Sequence, residues 1–391
     1  MTDGTGMRVA LIGDVDGIHT RSWINAIAAA GHLVQPIAFY PPASPLSDIA
    51  TTPLRPRPGT RAPRHEARGR TAGRMPRGLL RLAHAVRYRR AGLRRAVDAT
   101  RPDIVHAHYV VEHGFYAAFS GLRPLVVTAW GSDILLEPAR DPISGLIARW
   151  TLRRADAVTS NNAYMAEEAK RLGADTARLY VVTLGADRLF LDAGASSVNL
   201  EETARTAPPT ILSTRAHEPL YNIGDVIDAY GLVRGHSPEA TLVIAHGGSM
   251  TDRLQARAAE VGGDIRFVGF VAPAELAELM TRAAVFVSVP TSDGTSVALL
   301  QAMAAGAFPV VSDLPSQREL VDGVANGFRV PLHQPARLAE AVERALRDPA
   351  LRRAAALRNR AYVAAHGLND VEMQKLAGVY AAAVDHALRR H

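Results

Sequence analysis

The sequence predicts an α/β protein with two Rossmann-like domains, each built on a parallel sheet, and three observations support this. The chain has 391 residues, enough for two domains of about 150 residues each. Apolar, β-branched runs alternate with segments of helical spacing along most of the chain. This alternation occurs twice, before and after a stretch of small and polar residues at 191–209, which we interpret as a linker.

The first domain is predicted to cover residues 1–190. Its strands are short apolar runs rich in valine, isoleucine and leucine. Pro102 and Pro124 stand just before two of these runs, where a missing amide hydrogen is tolerated. We predict strands at Arg8–Ile12, Leu33–Phe39, Ile104–Ala107, Leu125–Ala129, Ala157–Ser160 and Leu179–Thr183.

A basic segment interrupts the first domain. Residues 41–78 contain eight prolines and are predicted to form a long loop, and an amphipathic helix is predicted over Leu79–Val97. Residues 55–101 hold fifteen arginines against two acidic residues, a local charge of +13. This charge predicts contact with an anionic acceptor or an anionic membrane surface. Nucleic acid is a weaker alternative, because Tyr88 is the segment's only aromatic side chain for base stacking.

The second domain is predicted to cover residues 210–365, and a C-terminal helix at 366–391 is predicted to pack back near the first domain. Two such domains imply a cleft, and ligands of open parallel sheets bind beyond the carboxyl ends of the strands. We predict strands at Thr210–Thr214, Leu242–Ala245, Ile265–Val268, Val285–Val289, Phe308–Ser312 and Gly327–Val330.

Composition excludes several classes of protein. Hydrophobic residues make up 48% and charged residues 21%, values of a globular rather than a disordered chain. The absence of cysteine excludes disulfide scaffolds and thiol nucleophiles. No apolar run reaches the roughly 18 residues of a membrane span, and the start lacks the pattern of a signal peptide. We therefore expect a cytoplasmic protein, with peripheral contact at the inner membrane face through residues 55–101.

The stretch Ala284–Asp313 contains the strongest candidate site. An apolar strand ends at Pro290, a polar turn follows, and a helix is predicted from Ser296 to Ala305. The free amides and the dipole at a helix start suit a phosphate group, and a glycine in the turn lets a ligand approach the backbone. The candidate ligand-binding residues are Asp293, Gly294, Thr295, Ser296 and Gln301.

This stretch resembles the donor-binding half of the retaining family 4 glycosyltransferases of GT-B fold. Their hallmark is a glutamate, seven residues, a second glutamate, and then small residues before a glycine. Here Asp293 and Gln301 have that spacing, followed by Ala302–Gly306. Phe267–Gly269 and Pro309–Val311 match the flanking features, so the chain resembles a divergent member with both carboxylates altered.

The resemblance implies a role for each matching residue. Asp293 would bind hydroxyls of the donor sugar, and Gln301 would bind the ribose of the nucleotide. Arg215 matches the arginine that faces the donor diphosphate. The family's lysine is missing, because Leu220 stands in its place, and Arg266 is one candidate to compensate.

Two histidines end a strand of the first domain. His108 matches the position at which related enzymes carry a histidine close to the reacting sugar and the acceptor, so the predicted catalytic residues are His108, Asp293 and Arg215. A structural histidine is the alternative. Together with Glu112 and His113, His106 also raises the alternative of a zinc site in a closed barrel hydrolase.

Further candidates come from two loops of the first domain. Trp130 and Asp133 lie in Trp-Gly-Ser-Asp, where related enzymes often have His-Gly-Ser-Asp, and both are predicted to bind the acceptor. Gly13 and Gly17 lie in the loop that approaches the donor diphosphate in the family. This loop lacks the glycine spacing of a dinucleotide fingerprint.

The resemblance implies an enzyme that transfers a hexose with retention, from a UDP or GDP type of nucleotide sugar to a hydroxyl acceptor. Natural-product or cell-surface glycan biosynthesis would be its setting, and neither a metal nor a cofactor would be required. Two alternatives stay open. One is a nucleotide-sugar 2-epimerase of the same fold, and the other is a non-catalytic nucleotide-binding or glycan-binding protein.

Overall fold

The computed structural model describes residues 6–39, 42, 46, 49–54, 92–197 and 208–390. The chain divides into two compact α/β units. Unit 1 comprises the residues up to Thr183 together with those from Met373 onward, and unit 2 comprises Leu184–Glu372. Each unit contains one parallel sheet, so the prediction of two Rossmann-like domains is confirmed.

Unit 1 has a sheet of seven strands within the described residues, in the order β3-β2-β1-β4-β5-β6-β7. All pairs are parallel, and the central strands are buried because they are apolar on both faces. The strands are β1 (Arg8–Ile12), β2 (Leu33–Ala38), β3 (Thr52–Pro53), β4 (Ile104–His108), β5 (Leu125–Thr128), β6 (Ala157–Ser160) and β7 (Leu179–Val181).

The helices of unit 1 fill the connections between these strands. A π-helix at Val110–Gly114 follows β4 directly, and a 3-10 turn lies at Thr176–Arg178. The α-helices are α1 (Ile18–Ala29), α2 (residues 92–100), α3 (Phe115–Phe119), α4 (Ser132–Leu135), α5 (Glu137–Arg140), α6 (Pro142–Arg154) and α7 (Ala163–Arg171).

Unit 2 has a sheet of six strands among the described residues, in the order β10-β9-β8-β11-β12-β13, again with every pair parallel. Successive residues of its central strand face opposite cores. Val285 and Val287 pack in one hydrophobic cluster and Phe286 packs in the other. The strands are β8 (Thr210–Ser213), β9 (Thr241–Ala245), β10 (Ile265–Gly269), β11 (Ala283–Ser288), β12 (Phe308–Ser312) and β13 (Phe328–Val330).

Helices cover both faces of this second sheet, and a 3-10 turn at Pro219–Tyr221 follows β8. The last helix, α16, contributes its residues from Met373 onward to unit 1. The helices are α8 (Arg188–Ser197), α9 (Ile223–Val233), α10 (Thr251–Val261), α11 (Pro273–Arg282), α12 (Val297–Ala305), α13 (Pro315–Arg318), α14 (Pro335–Arg347), α15 (Pro349–His366) and α16 (Asn369–Leu388).

The segment interpreted as a linker is partly helical. Residues 191–197 lie in α8, which packs its apolar side chains into the core of unit 2, and residues 198–207 lie outside the described residues. Phe190 and Ala193, three residues apart and therefore on one face of the helix, carry that packing together with Leu191. The structure therefore assigns the start of the interpreted linker to unit 2.

The basic segment lies largely outside the described residues, and so does the predicted membrane contact. Two parts of it are described. Thr52–Pro53 pairs with β2 as a two-residue edge strand inside the predicted loop, and residues 92–100 are helical. In the described parts of the chain, no helix has the length and apolar character needed to cross a membrane.

Candidate functional site

The ends of two neighbouring strands in unit 2 place a cation beside a carboxylate. Strand β8 pairs with β11 in parallel, so both end at the same edge of the sheet. Arg215 follows β8, and its guanidinium donates to Asp293 Oδ2 at 2.9 Å and to Ser296 Oγ at 2.7 Å. The Arg215 and Asp293 side chains are 10% and 17% exposed, so this ion pair lies largely out of water. The structure thus joins three of the predicted donor-binding residues directly.

Helix α12 begins beside this ion pair. Ser296 caps the helix, because its hydroxyl accepts a hydrogen bond from an amide of the first turn at 3.3 Å. The first amides of a helix have no carbonyl of the helix as a partner and lie at the positive end of its dipole, an arrangement that binds phosphate. The preceding loop is held by Ser316 Oγ, which donates to Asp293 O at 2.8 Å. The half-buried Gly294 and Thr295 lie between these two anchored residues.

The other predicted donor-binding residues lie in separate places. Gln301 is half-buried in the second turn of α12. In unit 1, Gly13 follows β1, and an added Cβ atom there would lie 3.5 Å from His108 Cβ. Gly17 precedes α1, and an added Cβ atom would lie 3.3 Å from Asp14 O. Their roles toward a donor stay predictions.

Leu220, at the position of the missing lysine, belongs to the 3-10 turn after β8. Its carbonyl accepts a hydrogen bond from Thr291 N at 2.8 Å, which ties the turn to the loop before α12. The next residue, Tyr221, lies with its ring 4.3 Å from the Arg215 guanidinium, a cation–π contact that the sequence did not reveal. Arg266 does not join the site, because its guanidinium pairs with Asp264 at 2.8 and 2.6 Å.

In unit 1, a chain of buried hydrogen bonds holds His106. Its Nδ1 lies 2.8 Å from the Tyr380 hydroxyl and its Nε2 lies 2.5 Å from Thr128 Oγ1, which in turn contacts Thr159 Oγ1 at 2.6 Å. Burial lowers the pKa of His106 to about 3, so the ring is neutral at ordinary pH. The zinc-barrel alternative is wrong, because this sheet is open, with β3 and β7 at its edges.

His108 lies two residues further along β4 and faces the same side, so its ring centre is 4.8 Å from that of His106. The Trp23 and Trp130 rings lie 5.5 and 5.1 Å away, and His108 is only 2% exposed. Neither ring nitrogen has a hydrogen-bond partner among the described residues. Burial, followed by the neighbouring histidines, holds the pKa of His108 well below its usual range, which keeps the ring uncharged.

Asp133, for which acceptor binding stays a prediction, accepts hydrogen bonds from two amides of its own loop and from one in the π-helix after β4. Its Oδ1 accepts from Trp130 N at 3.0 Å and from Gly131 N at 2.9 Å, and its Oδ2 accepts from Val110 N at 2.7 Å. The side chain is fully buried. Burial raises the pKa of Asp133 to about 6, although the three amides oppose that shift and the nearby Glu137 adds to it.

Asp133 should therefore give the fold a measurable pH dependence. Its pKa in the folded state exceeds the ordinary value of 3.8, so its contribution to stability is full below that value and is lost as the pH rises through about 6. We expect the free energy of unfolding of Asp133→Asn, relative to the wild type, to rise by about 2 kcal/mol between pH 4 and pH 7. Urea denaturation across this pH range measures this difference. The same pH dependence of the free energy of unfolding in the variant and the wild type would contradict the raised pKa.

Comparison with known proteins agrees with this architecture. A family model described as "Glycosyl transferases group 1" matches residues 200–363, and one described as "Glycosyl transferase 4-like domain" matches residues 17–185. Glycogen synthase of Mycobacterium tuberculosis is 31% identical over 367 residues, covering 88% of this chain and 86% of that protein. Phosphatidyl-myo-inositol mannosyltransferase of the same organism is 30% identical over 148 residues, 37% of this chain and 38% of that protein.

Two solved structures share the fold. HepE of Anabaena in complex with UDP-glucose has a TM-score of 0.74 at 15% identity and covers 96% of this chain and 100% of that chain. Sucrose-phosphate synthase of Thermosynechococcus elongatus has a TM-score of 0.72 at 19% identity, and the match covers 96% of this chain and 98% of that chain. The motif spacing, the two parallel-sheet units and these similarities together place the chain in the group 1, family 4 type of glycosyltransferases.

Proposed function

We propose that this glycosyltransferase moves a hexose with retention from a nucleotide diphosphate sugar, of UDP or GDP type, to a hydroxyl acceptor. The observation that carries the proposal is the largely buried Arg215, oriented by Asp293 and Ser296 at the start of α12. Natural-product or cell-surface glycan biosynthesis is the proposed setting. We assign most of the donor contacts to unit 2 and the acceptor to unit 1.

The donor diphosphate is assigned to Arg215 and to the amides of Thr295, Ser296 and the first turn of α12. Cleavage of the glycosidic bond leaves negative charge on the diphosphate, and oriented donors in a poorly solvated site stabilise such charge. The carboxylate of Asp293 accepts from Arg215 through Oδ2. Hydroxyls of the donor sugar are assigned to Asp293 and those of the ribose to Gln301, whose amide can both donate and accept.

The proposed reaction proceeds on one face of the sugar. The bond from the anomeric carbon to the phosphate oxygen breaks, the acceptor oxygen bonds to the same face of that carbon, and the acceptor proton passes to the departing phosphate. Because the leaving group takes the proton, no side chain must act as a strong base. His108 is assigned to position the sugar as a neutral hydrogen-bonding group, which agrees with the direction of its pKa shift. Gly13 and Gly17 are assigned to the diphosphate.

The proposal is tested by donor binding and by the stereochemistry of the product. Thermal denaturation with UDP, GDP and their hexose conjugates identifies the donor, and UDP-glucose is the first choice because the similar HepE is described in complex with it. We expect a product whose anomeric configuration, determined by NMR, equals that of the donor, and turnover that survives EDTA. An inverted product would overturn retention. A changed sugar from donor alone would identify an epimerase, and binding without any turnover would identify a non-catalytic protein.

A further inference from the structure

Trp130 lies at the carboxyl end of the unit 1 sheet, where the resembling family often has a histidine. Its indole is half-buried. The ring centres lie 5.1 Å from His108 and 5.5 Å from His19, tilted by 58° and 44°. An aromatic ring with one exposed part, next to a histidine assigned to the reaction, is suited to stacking against a ligand.

The backbone amide of Trp130 donates a hydrogen bond, whereas its indole forms none with the described residues. Asp133 accepts from the amides of Trp130 and Gly131, and Gly131 has a φ of 126°, which favours glycine. The indole Nε1, in contrast, has no hydrogen-bond partner among the described residues. A change in the orientation of the indole would therefore break no hydrogen bond that the described residues show.

The indole also covers His108. Both His108 nitrogens are buried and lack partners in the described part of the chain, an arrangement that costs free energy in a folded protein. Movement of Trp130 away from this ring would open one side of the imidazole, while Trp23 and His106 stay packed against it. The arrangement thus has a polar group that lacks a partner beside an indole that no hydrogen bond among the described residues holds in place.

Within the described part of unit 1, Asp133 and Arg21 are two charged groups near this indole, and both have partners. Asp133 is saturated by three backbone amides, and His108 is uncharged. On the neighbouring helix α1, Arg21 donates to Val15 O at 2.9 Å and pairs with Asp16 at 3.5 Å. These observations favour a neutral ligand over a phosphorylated or carboxylated one.

We propose that Trp130 recognises the acceptor by stacking on the face of an uncharged ring that carries hydroxyl groups, and that its indole moves off His108 as the ring binds. This inference rests on the proposed function. A pyranoside and an aromatic alcohol both have this chemistry, and the experiment below separates them.

The experiment compares four acceptors with the donor identified by thermal denaturation: methyl glucoside, 4-hydroxybenzyl alcohol, the open-chain sorbitol and glucose 6-phosphate. We expect transfer to one or both neutral ring compounds with a lower KM than for the other two. Trp130→Ala should raise that KM by about tenfold with a smaller change in kcat, and Trp130→Phe should restore most of the loss. Sorbitol or glucose 6-phosphate as the better acceptor, no transfer to either ring compound, or an unchanged KM in Trp130→Ala would each overturn the proposal.

Trp150→Phe is the matched control. Trp150 lies on α6 against Phe115 and under the Arg154 guanidinium, away from His108, so its replacement should leave the acceptor KM unchanged.

Intrinsic tryptophan fluorescence measures acceptor binding without requiring turnover. A saturable change on addition of the ring acceptor is expected in the Trp150→Phe protein, and it should be much smaller when Trp130→Phe is added, because Trp23 near His108 is then the remaining tryptophan. A change of undiminished size without Trp130 would contradict the proposal. Failure of the proposed function is distinguishable, because it would remove donor binding or donor turnover with every acceptor, including water.

Discussion

Replacing Arg215 by alanine is expected to lower kcat/KM for the donor by about 100- to 1000-fold, the usual loss when one charge-stabilising donor is removed. Two effects act together. The diphosphate loses its cation, and the largely buried Asp293 carboxylate loses its partner and becomes a repulsive charge. Steady-state kinetics with saturating acceptor measure the loss. Arg215→Lys should recover only part of it, since an ammonium group cannot reproduce the fork that reaches both Asp293 and Ser296.

Two further variants make the prediction specific. Arg257→Ala removes an exposed arginine that pairs with Asp228 in the same unit, and it should change the rate by less than about twofold. Asp293→Ala should lose less affinity for UDP or GDP than Arg215→Ala does, because Arg215 remains and still contacts Ser296, while turnover falls because the sugar contact is lost. Equal loss of nucleotide affinity in the Arg215 and Asp293 variants would contradict the separate roles that we assign. Full activity of Arg215→Ala would remove the basis of the proposed site.

Replacing Asp133 by alanine is expected to destabilise the protein by about 3 kcal/mol or more. The change leaves three amides, of Val110, Trp130 and Gly131, without their acceptor at a buried position, and each such loss costs about 1–3 kcal/mol. Urea denaturation at neutral pH measures the effect. Because those amides belong to the π-helix after His108 and to the loop of Trp130, we also expect weaker acceptor binding.

An exposed aspartate of the same unit provides the comparison. Asp98 faces solvent and pairs with Arg94 one helical turn away, so Asp98→Ala should change stability by no more than about 0.5 kcal/mol. The loss of stability in Asp133→Asn should lie between the losses in Asp98→Ala and Asp133→Ala, since the single amide oxygen of asparagine can still accept some of the three hydrogen bonds. A cost below about 1 kcal/mol for Asp133→Ala would show that the loop does not depend on this carboxylate.

The sheets could be predicted because their strands are short apolar runs that pack on both faces. Every residue is buried in two of these strands, Ile104–His108 and Phe308–Ser312. The edge strand Thr52–Pro53 was missed because two residues carry no periodicity and proline is unfavourable in strands. The helical character of residues 191–197, the later part of α8, was missed because the small residues there are typical of linkers as well.

The proximity of the candidate-site residues was predictable where it depends on strand order and motif spacing, while their roles stay predictions. Arg215 and Asp293 were assigned to one ligand, and the pairing of β8 with β11 explains why they meet. The role of Asp133 was not predictable, since a carboxylate gives no sign in the sequence of whether it serves a ligand or nearby amides. The contact between His106 and Tyr380 joins residues 274 apart and has no local signal at all.

The placement of Tyr380 has a practical consequence for work on isolated pieces of this protein. Residues from Met373 onward belong to unit 1, so this unit is formed from two separate stretches of the sequence. A fragment that ends at Thr183 would lack the hydroxyl that bonds to His106, and a C-terminal truncation would remove the same support from an otherwise intact chain. An expression clone of unit 1 should therefore join the terminal helix directly to the earlier residues.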